Sequence, residues 1–239
     1  MISHLNRSAT ALLAAVMMLS VLAGATLAAV PGPAAGDTVF AERGITAQGI
    51  WDSCEPPDAS GVTRCEMTQA YVFDGRQRSR DQFGRTNGSL TYLCVYHQRA
   101  ALGEDGIPVE PPIIEQGCTD GPQLSVVDPL KSLTASAPVL QLIETICTYD
   151  PETGEPSCVD GAARSVSVVA VFTGVGATTA DRWSSKSRSI VDGARCTFSS
   201  SGSGNRREAT ASITIDGTTL AFGFGQLSDG KMRFAQHCR

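Results

Sequence analysis

Two pairs of cysteines with the same spacing constrain this chain more than any other feature of its sequence. Ten residues separate Cys54 from Cys65, and ten separate Cys147 from Cys158. Each pair encloses a loop that contains Pro and Gly, and a run rich in β-branched or aromatic residues follows its second cysteine. Prolines interrupt regular structure, whereas β-branched and aromatic residues favour strands. We therefore expect each pair to form a disulfide that closes a turn-rich loop between two strands.

The cysteines of this chain favour disulfide bonds over metal binding. If the two short loops each close on themselves, pairing within each half leaves Cys94 with Cys118 and Cys196 with Cys238, but the sequence does not fix these two pairs as it does the short loops. All eight cysteines follow residue 28, and an even number without a CxxC motif is typical of disulfides in an exported protein. Only two histidines lie in the same part of the chain, too few for a usual zinc site. We expect no metal and no other cofactor.

The first 28 residues predict export. One positive charge at Arg7 precedes an uncharged apolar run from Ala11 to Ala25, and small residues follow. The run is short for a membrane span and leads into Pro-containing sequence, which is the pattern of a secretory signal peptide. We expect cleavage after Ala28, a secreted protein, and no membrane span once the signal peptide is removed.

The balance of charges argues against a nucleic-acid partner. The full chain has 19 Lys and Arg against 24 Asp and Glu, and loss of Arg7 with the signal peptide leaves 18 against 24, a net charge of −6. Proteins that bind nucleic acid neutralise phosphates with an excess of basic residues. The sequence therefore predicts no nucleic-acid binding.

The sequence predicts an internal duplication of one β-rich unit, with the two copies in residues 29–136 and 137–239. Cysteines, Asp- or Gly-containing turns and aromatic residues recur in the same order in both halves. The aligned landmarks are Ala70–Gly75 with Val169–Gly174, Phe83 with Trp183, and Cys94 with Cys196. We interpret the halves as two repeats.

Short extended runs separated by turn residues predict an all-β fold. Each repeat has about the length of one antiparallel β-sandwich, so we expect two tandem sandwich-like repeats that resemble immunoglobulin domains in architecture only. The sequence leaves open a second arrangement, in which both repeats share one continuous sheet. After the signal peptide, only residues 126–145 have any helical character, and Pro129 and Pro138 limit it to a short turn of helix.

Basic residues recur at equivalent places of both repeats although the chain is acidic overall. Arginine forks suit carboxylates and phosphates, so the two segments predict a binding site for an acidic partner. The sequence does not identify that partner, and an acidic glycan, an anionic cell-envelope polymer or another protein are the candidates. The predicted binding residues are Arg76, Arg78, Arg80, Arg85, Arg182, Lys186 and Arg188.

Support for catalysis is weaker. The chain has no GxSxG motif, and a histidine base would have to be His97 or His237. The sequence thus favours a secreted, non-enzymatic binding or surface-interaction protein. Two alternatives stay open: a secreted hydrolase that uses two carboxylates on a β scaffold, or a protease inhibitor that presents one of the disulfide-held loops, residues 55–64 or 148–157.

Overall fold

Nine antiparallel strands account for most of the chain in the computed structural model, which describes residues 37–81, 84–149, 156–191 and 193–238. The expected signal peptide lies outside the described residues. None of the described segments is a helix, and none forms a helix long and apolar enough to cross a membrane. The strands are β1 (Asp37–Cys54), β2 (Thr63–Asp81), β3 (Gly84–Leu102), β4 (Ile113–Asp120), β5 (Gln123–Asp128), β6 (Ser132–Tyr149), β7 (Pro156–Val191), β8 (Ala194–Ile215) and β9 (Thr218–Cys238).

All nine strands belong to one sheet, in the order β4-β3-β2-β1-β9-β8-β7-β6-β5. A further pairing joins Ile113–Gln116 of β4 to Ile143–Ile146 of β6. This pairing closes eight strands into a ring, and β5 pairs with the first part of β6. The all-β prediction is confirmed. The expected pair of sandwiches is not confirmed, because the strands of both halves form a single sheet.

The two predicted halves meet inside a strand. The boundary between residues 136 and 137 falls within β6, and β9 pairs with β1 at the other junction between the halves. The division into repeats stays a prediction, but the alignment of Ala70–Gly75 with Val169–Gly174 places the aligned side chains on opposite faces of the sheet. Phe172 points into the core with Leu133 and Ala211, whereas Phe73 lies on the opposite face from its core neighbour Val72.

One hydrophobic core fills the ring. Side chains alternate between the two faces of a strand, so every second residue of the closed part points inward. The largest fully buried apolar side chains come from six different strands, which shows that the interior is shared by both halves of the chain. They are Val72, Leu93, Val95, Leu133, Leu140, Leu142, Val166, Val168, Phe172, Ile213 and Leu227 on β2, β3, β6, β7, β8 and β9, with the buried Ala47 from β1.

The two disulfides predicted from their equal spacing are confirmed, and the other four cysteines also pair within each half of the chain. Each bond joins two residues that are direct partners on neighbouring strands, with Cα atoms 4.0–4.1 Å apart. The bonds link β1 to β2, β3 to β4, β6 to β7 and β8 to β9. They are Cys54–Cys65, Cys94–Cys118, Cys147–Cys158 and Cys196–Cys238. Each four-stranded half of the ring therefore holds two cross-strand bonds.

The segment with some helical character forms strand instead. Residues 126–145 comprise the end of β5, a turn and most of β6. Leu133, Ala135 and Ala137 alternate into the core there, so the period of two in this stretch outweighs its helical propensity. Pro138 lies at an irregularity between Ala137 and Leu140, where a missing backbone donor is tolerated.

Six strands continue past the closed ring. The pairing of β6 with β7 begins at Thr173, and β4 pairs with β3 only from Tyr92 onward. Beyond these two points the neighbours β7-β8-β9-β1-β2-β3 carry on without β4 and β6. We call this part of the sheet the open extension.

A row of four glycines crosses the start of the open extension. Gly204, Gly230, Gly44 and Gly75 are successive partners on β8, β9, β1 and β2. A Cβ atom built on Gly44 would lie 2.5 Å from the carbonyl oxygen of Asp74, and one on Gly204 would lie 2.5 Å from that of Asp229. Such a close approach of backbones requires glycine, and glycines in strands mark bends. We call this line of residues the glycine row.

Candidate functional site

All seven predicted binding residues lie on one face of the sheet. Residues two apart on a strand share a face, and so do direct partners on antiparallel strands. Arg76, Arg78 and Arg80 therefore point to the same side as the core residue Val72, and Arg85 is the partner of Arg80. The sequence grouped these residues by segment, and the fold groups them by face. The strand pairings described next place the β7 residues Arg182, Lys186 and Arg188 on this face as well.

The strongest cluster is a row of four cations across neighbouring strands, which we call the cation row. Arg43 is the direct partner of both Arg76 and Lys231. Lys231 pairs with Ser203, and Ser203 pairs with Arg182. Neighbouring strands lie about 4.8 Å apart, so three of these cations stand on consecutive strands at that spacing. All four cations are exposed.

Two further rows of cations follow toward the open end. Ala41 is the partner of Arg78 on one side and Arg233 on the other. The next row contains three cations, Lys186, Arg80 and Arg85. Successive strand partners link them across the sheet, in the order Lys186, Ser199, Ala235, Val39, Arg80 and Arg85. Successive rows are two residues apart, or about 7 Å along the strands. Arg188 lies one row further still, on the same face.

Two carboxylates stand one row closer to the core, and we call them the acid pair. Ile45 has Asp74 as its partner on β2 and Asp229 as its partner on β9. An oxygen of Asp74 accepts a hydrogen bond from the Thr91 hydroxyl at 2.6 Å. Beneath them, the partners of Ala47 are the first apolar residues of the core. Along the inward face, the order from the core is thus apolar, acidic and then basic.

The cation row and the acid pair line one cavity of about 1330 Å³. Val126 and Pro129, from the end of β5 and the turn after it, line it as well. Three of the predicted residues, Arg76, Arg78 and Arg182, are part of this lining. The other four predicted residues share the face but do not line the cavity. Ser89, Ser184, Ser201 and Ser203 add hydroxyl groups to it.

The cations of this cavity are not neutralised within the described part of the chain. The ion pairs found there include Arg206–Asp181 and Arg164–Glu115, but none involves the cation row, Arg78 or Arg233. Neither member of the acid pair takes part in an ion pair there. On the inward face, positive and negative charge therefore stand at separate levels, available to a ligand. Glu42 also lines the cavity, but it points to the opposite face of β1 from Arg43 and accepts a hydrogen bond from Gln77 at 3.1 Å.

Sequence reasoning missed Arg43, Lys231, Arg233 and the acid pair. The sequence did contain a signal for the two β9 cations, since Lys231 and Arg233 repeat the two-residue spacing of Arg76 and Arg78. Arg43 gave no such signal, because it is a single cation that gains its neighbours only through strand pairing.

Trp183 does not join the cations. It neighbours Arg182 on β7 and therefore belongs to the opposite face, although its residue borders the cavity. Its indole lies over Gly202, where an added Cβ would come within 2.5 Å of the ring nitrogen. The indole is 46% exposed. Its counterpart in the first half, Phe83, lies outside the described residues.

His97 belongs to a polar cluster near the other end of the ring. Its Nδ1 and the Thr68 hydroxyl are hydrogen-bonded at 2.9 Å, and Thr68 is fully buried. Burial lowers the pKa of His97 below its usual value. Nearby, Arg164 donates to Glu115 at 2.8 Å, and this hydrogen bond lowers the pKa of the Glu115 carboxyl. The cluster satisfies its own polar groups, and His237 lies far along the sheet in the last strand.

The first candidate inhibitor loop is ordered by one carboxylate. Asp58 accepts hydrogen bonds from the backbone of Ser60 and Val62 and from the Ser60 hydroxyl, and it pairs with Arg64 at 3.2 Å. The bonds from Ser60, the largest cause, lower the pKa of Asp58 to about 2. The second candidate loop lies mostly outside the described residues.

Comparison with known proteins adds no relative. No family model, no curated protein and no solved structure matches this chain. In the described part of the chain, no group of three or more His, Cys, Asp or Glu residues is arranged to hold a metal ion.

Proposed function

We propose that this is a secreted, non-enzymatic binding protein that captures an acidic partner in the cavity of the open extension. The observation that carries the proposal is the cation row. Three of its members occupy direct partner positions on the consecutive strands β9, β1 and β2, and the fourth, Arg182, faces the same cavity. Like charges on adjacent strands repel and destabilise a sheet, so their accumulation on one face calls for a reason other than folding.

A ligand that carries several negative charges supplies that reason. It would relieve the repulsion among the cations while forming charge-assisted hydrogen bonds with the guanidinium groups. The acidic net charge of the chain strengthens the argument, because a general excess of basic residues does not account for the cluster. Acidic glycans and anionic envelope polymers are partners of this chemistry outside the cell.

Retention on an immobilised acidic glycan tests the proposal. We expect the protein to bind at low salt and to elute steeply as salt rises, since the Debye length falls from about 10 Å at 0.1 M to about 3 Å at 1 M. Replacing Arg76 and Arg78 by Ser should weaken binding about tenfold or more, because two hydrogen bonds to charged groups are lost.

A matched control comes from the same part of the sheet. Arg64 and Arg99 are exposed cations near the other end of β2 and β3, and neither lines the cavity. Replacing both by Ser removes the same charge and should leave retention unchanged. Equal losses in the two double variants, or no retention of the unmodified protein at low salt, would contradict the proposal.

A further inference from the structure

The acid pair sets a limit on what the cavity can bind. Asp74 and Asp229 stand one row below the cation row, or about 7 Å along the strands. Among the described residues, no ion pair engages either carboxylate, and no hydrogen bond to the carboxylate of Asp229 is formed. Both residues line the cavity with the cations.

A ligand with negative charge along its whole length does not fit this arrangement. Any anionic group at the level of Ile45 would face two carboxylates in a partly enclosed site, where charges interact more strongly than in water. Carboxylates are acceptors only, so the groups that suit this level are donors such as sugar hydroxyls. One row further out, the cations suit carboxylate, sulfate or phosphate groups.

The remaining polar lining favours the same ligand. Ser89 and Ser203 lie in the same row as the cations, and Ser184 and Ser201 lie in the row beyond. Serine hydroxyls donate and accept, so they serve the alternating donors and acceptors of a polyhydroxylated chain. A cavity for a uniform polyanion has no need of two carboxylates at its inner end.

We infer that the cavity binds an acidic oligosaccharide, with hydroxyl groups of one sugar hydrogen-bonded to Asp74 and Asp229 and the anionic group of the next sugar held by Arg43, Arg76 and Lys231. This inference rests on the proposed function and specifies its ligand class. The acid pair then selects against inorganic polyphosphate and other chains that carry charge at every unit.

Calorimetric titration with two probes tests the inference: a hyaluronan oligosaccharide, in which an acidic sugar alternates with a neutral one, and linear polyphosphate with the same number of charges. The unmodified protein should prefer the hyaluronan oligosaccharide. The variant with Asp74→Asn and Asp229→Asn should bind polyphosphate about tenfold more tightly and the hyaluronan oligosaccharide about tenfold more weakly, because repulsion is removed in one case and hydrogen bonds to charged acceptors in the other.

A control variant separates local contacts from total charge. Asp52 and Asp120 are exposed and lie outside the cavity lining, so Asp52→Asn with Asp120→Asn removes the same charge without touching the site. It should leave the preference intact. If the acid-pair variant binds both probes more tightly, or if the unmodified protein prefers polyphosphate, the oligosaccharide inference is overturned while the proposed function stands. If the unmodified protein binds neither probe at low salt, both are overturned.

Discussion

The glycine row offers a sharp test of how the open extension is built. Gly44 and Gly230 are direct partners in this row, are similarly half-buried and have no positive φ angle. Their surroundings differ. A Cβ on Gly44 would meet the Asp74 carbonyl oxygen at 2.5 Å and the Gly75 Cα at 2.7 Å, whereas the nearest atom to a Cβ on Gly230 is the Ser203 carbonyl oxygen at 3.4 Å. The substitution to alanine should therefore act in opposite directions at the two positions.

The magnitudes follow from two competing effects. Alanine in a strand is more stable than glycine by roughly 0.5–1 kcal/mol, mainly because the unfolded chain loses less entropy on folding. At Gly230 this gain should be realised nearly in full. At Gly44 the new methyl group collides with backbone atoms that cannot rotate away, and such overpacking costs typically about 1–3 kcal/mol. We expect Gly44→Ala to destabilise the protein by about 1–2 kcal/mol.

Thermal unfolding with intact disulfides measures the difference. A change of 1 kcal/mol shifts Tm by about 2–4 °C in a protein of this size, so the two variants should differ by roughly 3–12 °C. Urea unfolding checks that the m-value is unchanged and that the comparison concerns stability. If Gly44→Ala is as stable as the original protein, or if Gly230→Ala is the less stable variant, close backbone contact is not what keeps glycine in this row.

Two further predictions concern single side chains. Arg207 donates hydrogen bonds to the carbonyl oxygens of Gly176 and Leu130, at 3.0 and 3.4 Å, so Arg207→Met should lower the free energy of unfolding by about 1–3 kcal/mol in urea titrations. Arg206→Met breaks only an exposed ion pair and should lower it by less than about 1 kcal/mol. Equal effects of the two substitutions would contradict the role of the Arg207 hydrogen bonds. Because the folded-state pKa of Asp58 is lowered to about 2, its stabilisation of the loop should be complete above pH 4 and lost as the pH falls through 2. The protection of the Ser60 and Val62 amides against hydrogen exchange, measured relative to the intrinsic rate at each pH, should therefore fall over that range. Protection that stays constant would count against this role of Asp58.

The two short disulfide loops could be predicted because their information is local. Cys54 and Cys147 each lie eleven positions before their partners, and a hairpin brings such residues together whatever the rest of the chain does. The strand content could be predicted equally well, since the preferences of β-branched residues and of turn residues act over short stretches of sequence. These features do not depend on how the two halves are joined.

The arrangement of the halves could not be predicted in the same way. Two sandwiches and one shared sheet use the same strands with the same alternation, and they differ only in pairings between distant residues. The decisive pairs are Ile113 with Ile146 and Phe40 with Phe234, which carry no distinctive sequence signal. The shift between Phe73 and Phe172 has a related cause, because a one-residue error in alignment reverses the face of every side chain.

The candidate site lies between these two cases. Arg76 and Arg182 were identified from composition, but their common cavity exists only because β9 pairs with β1 and so joins the ends of the described chain. That pairing inserts Arg43 and Lys231 between them and turns two separate basic segments into one row. The repulsion within this row is built up entirely on folding, since in the unfolded chain these four residues are far apart. A ligand that binds the folded state and relieves the repulsion should therefore stabilise the closed sheet as well as occupy its cavity.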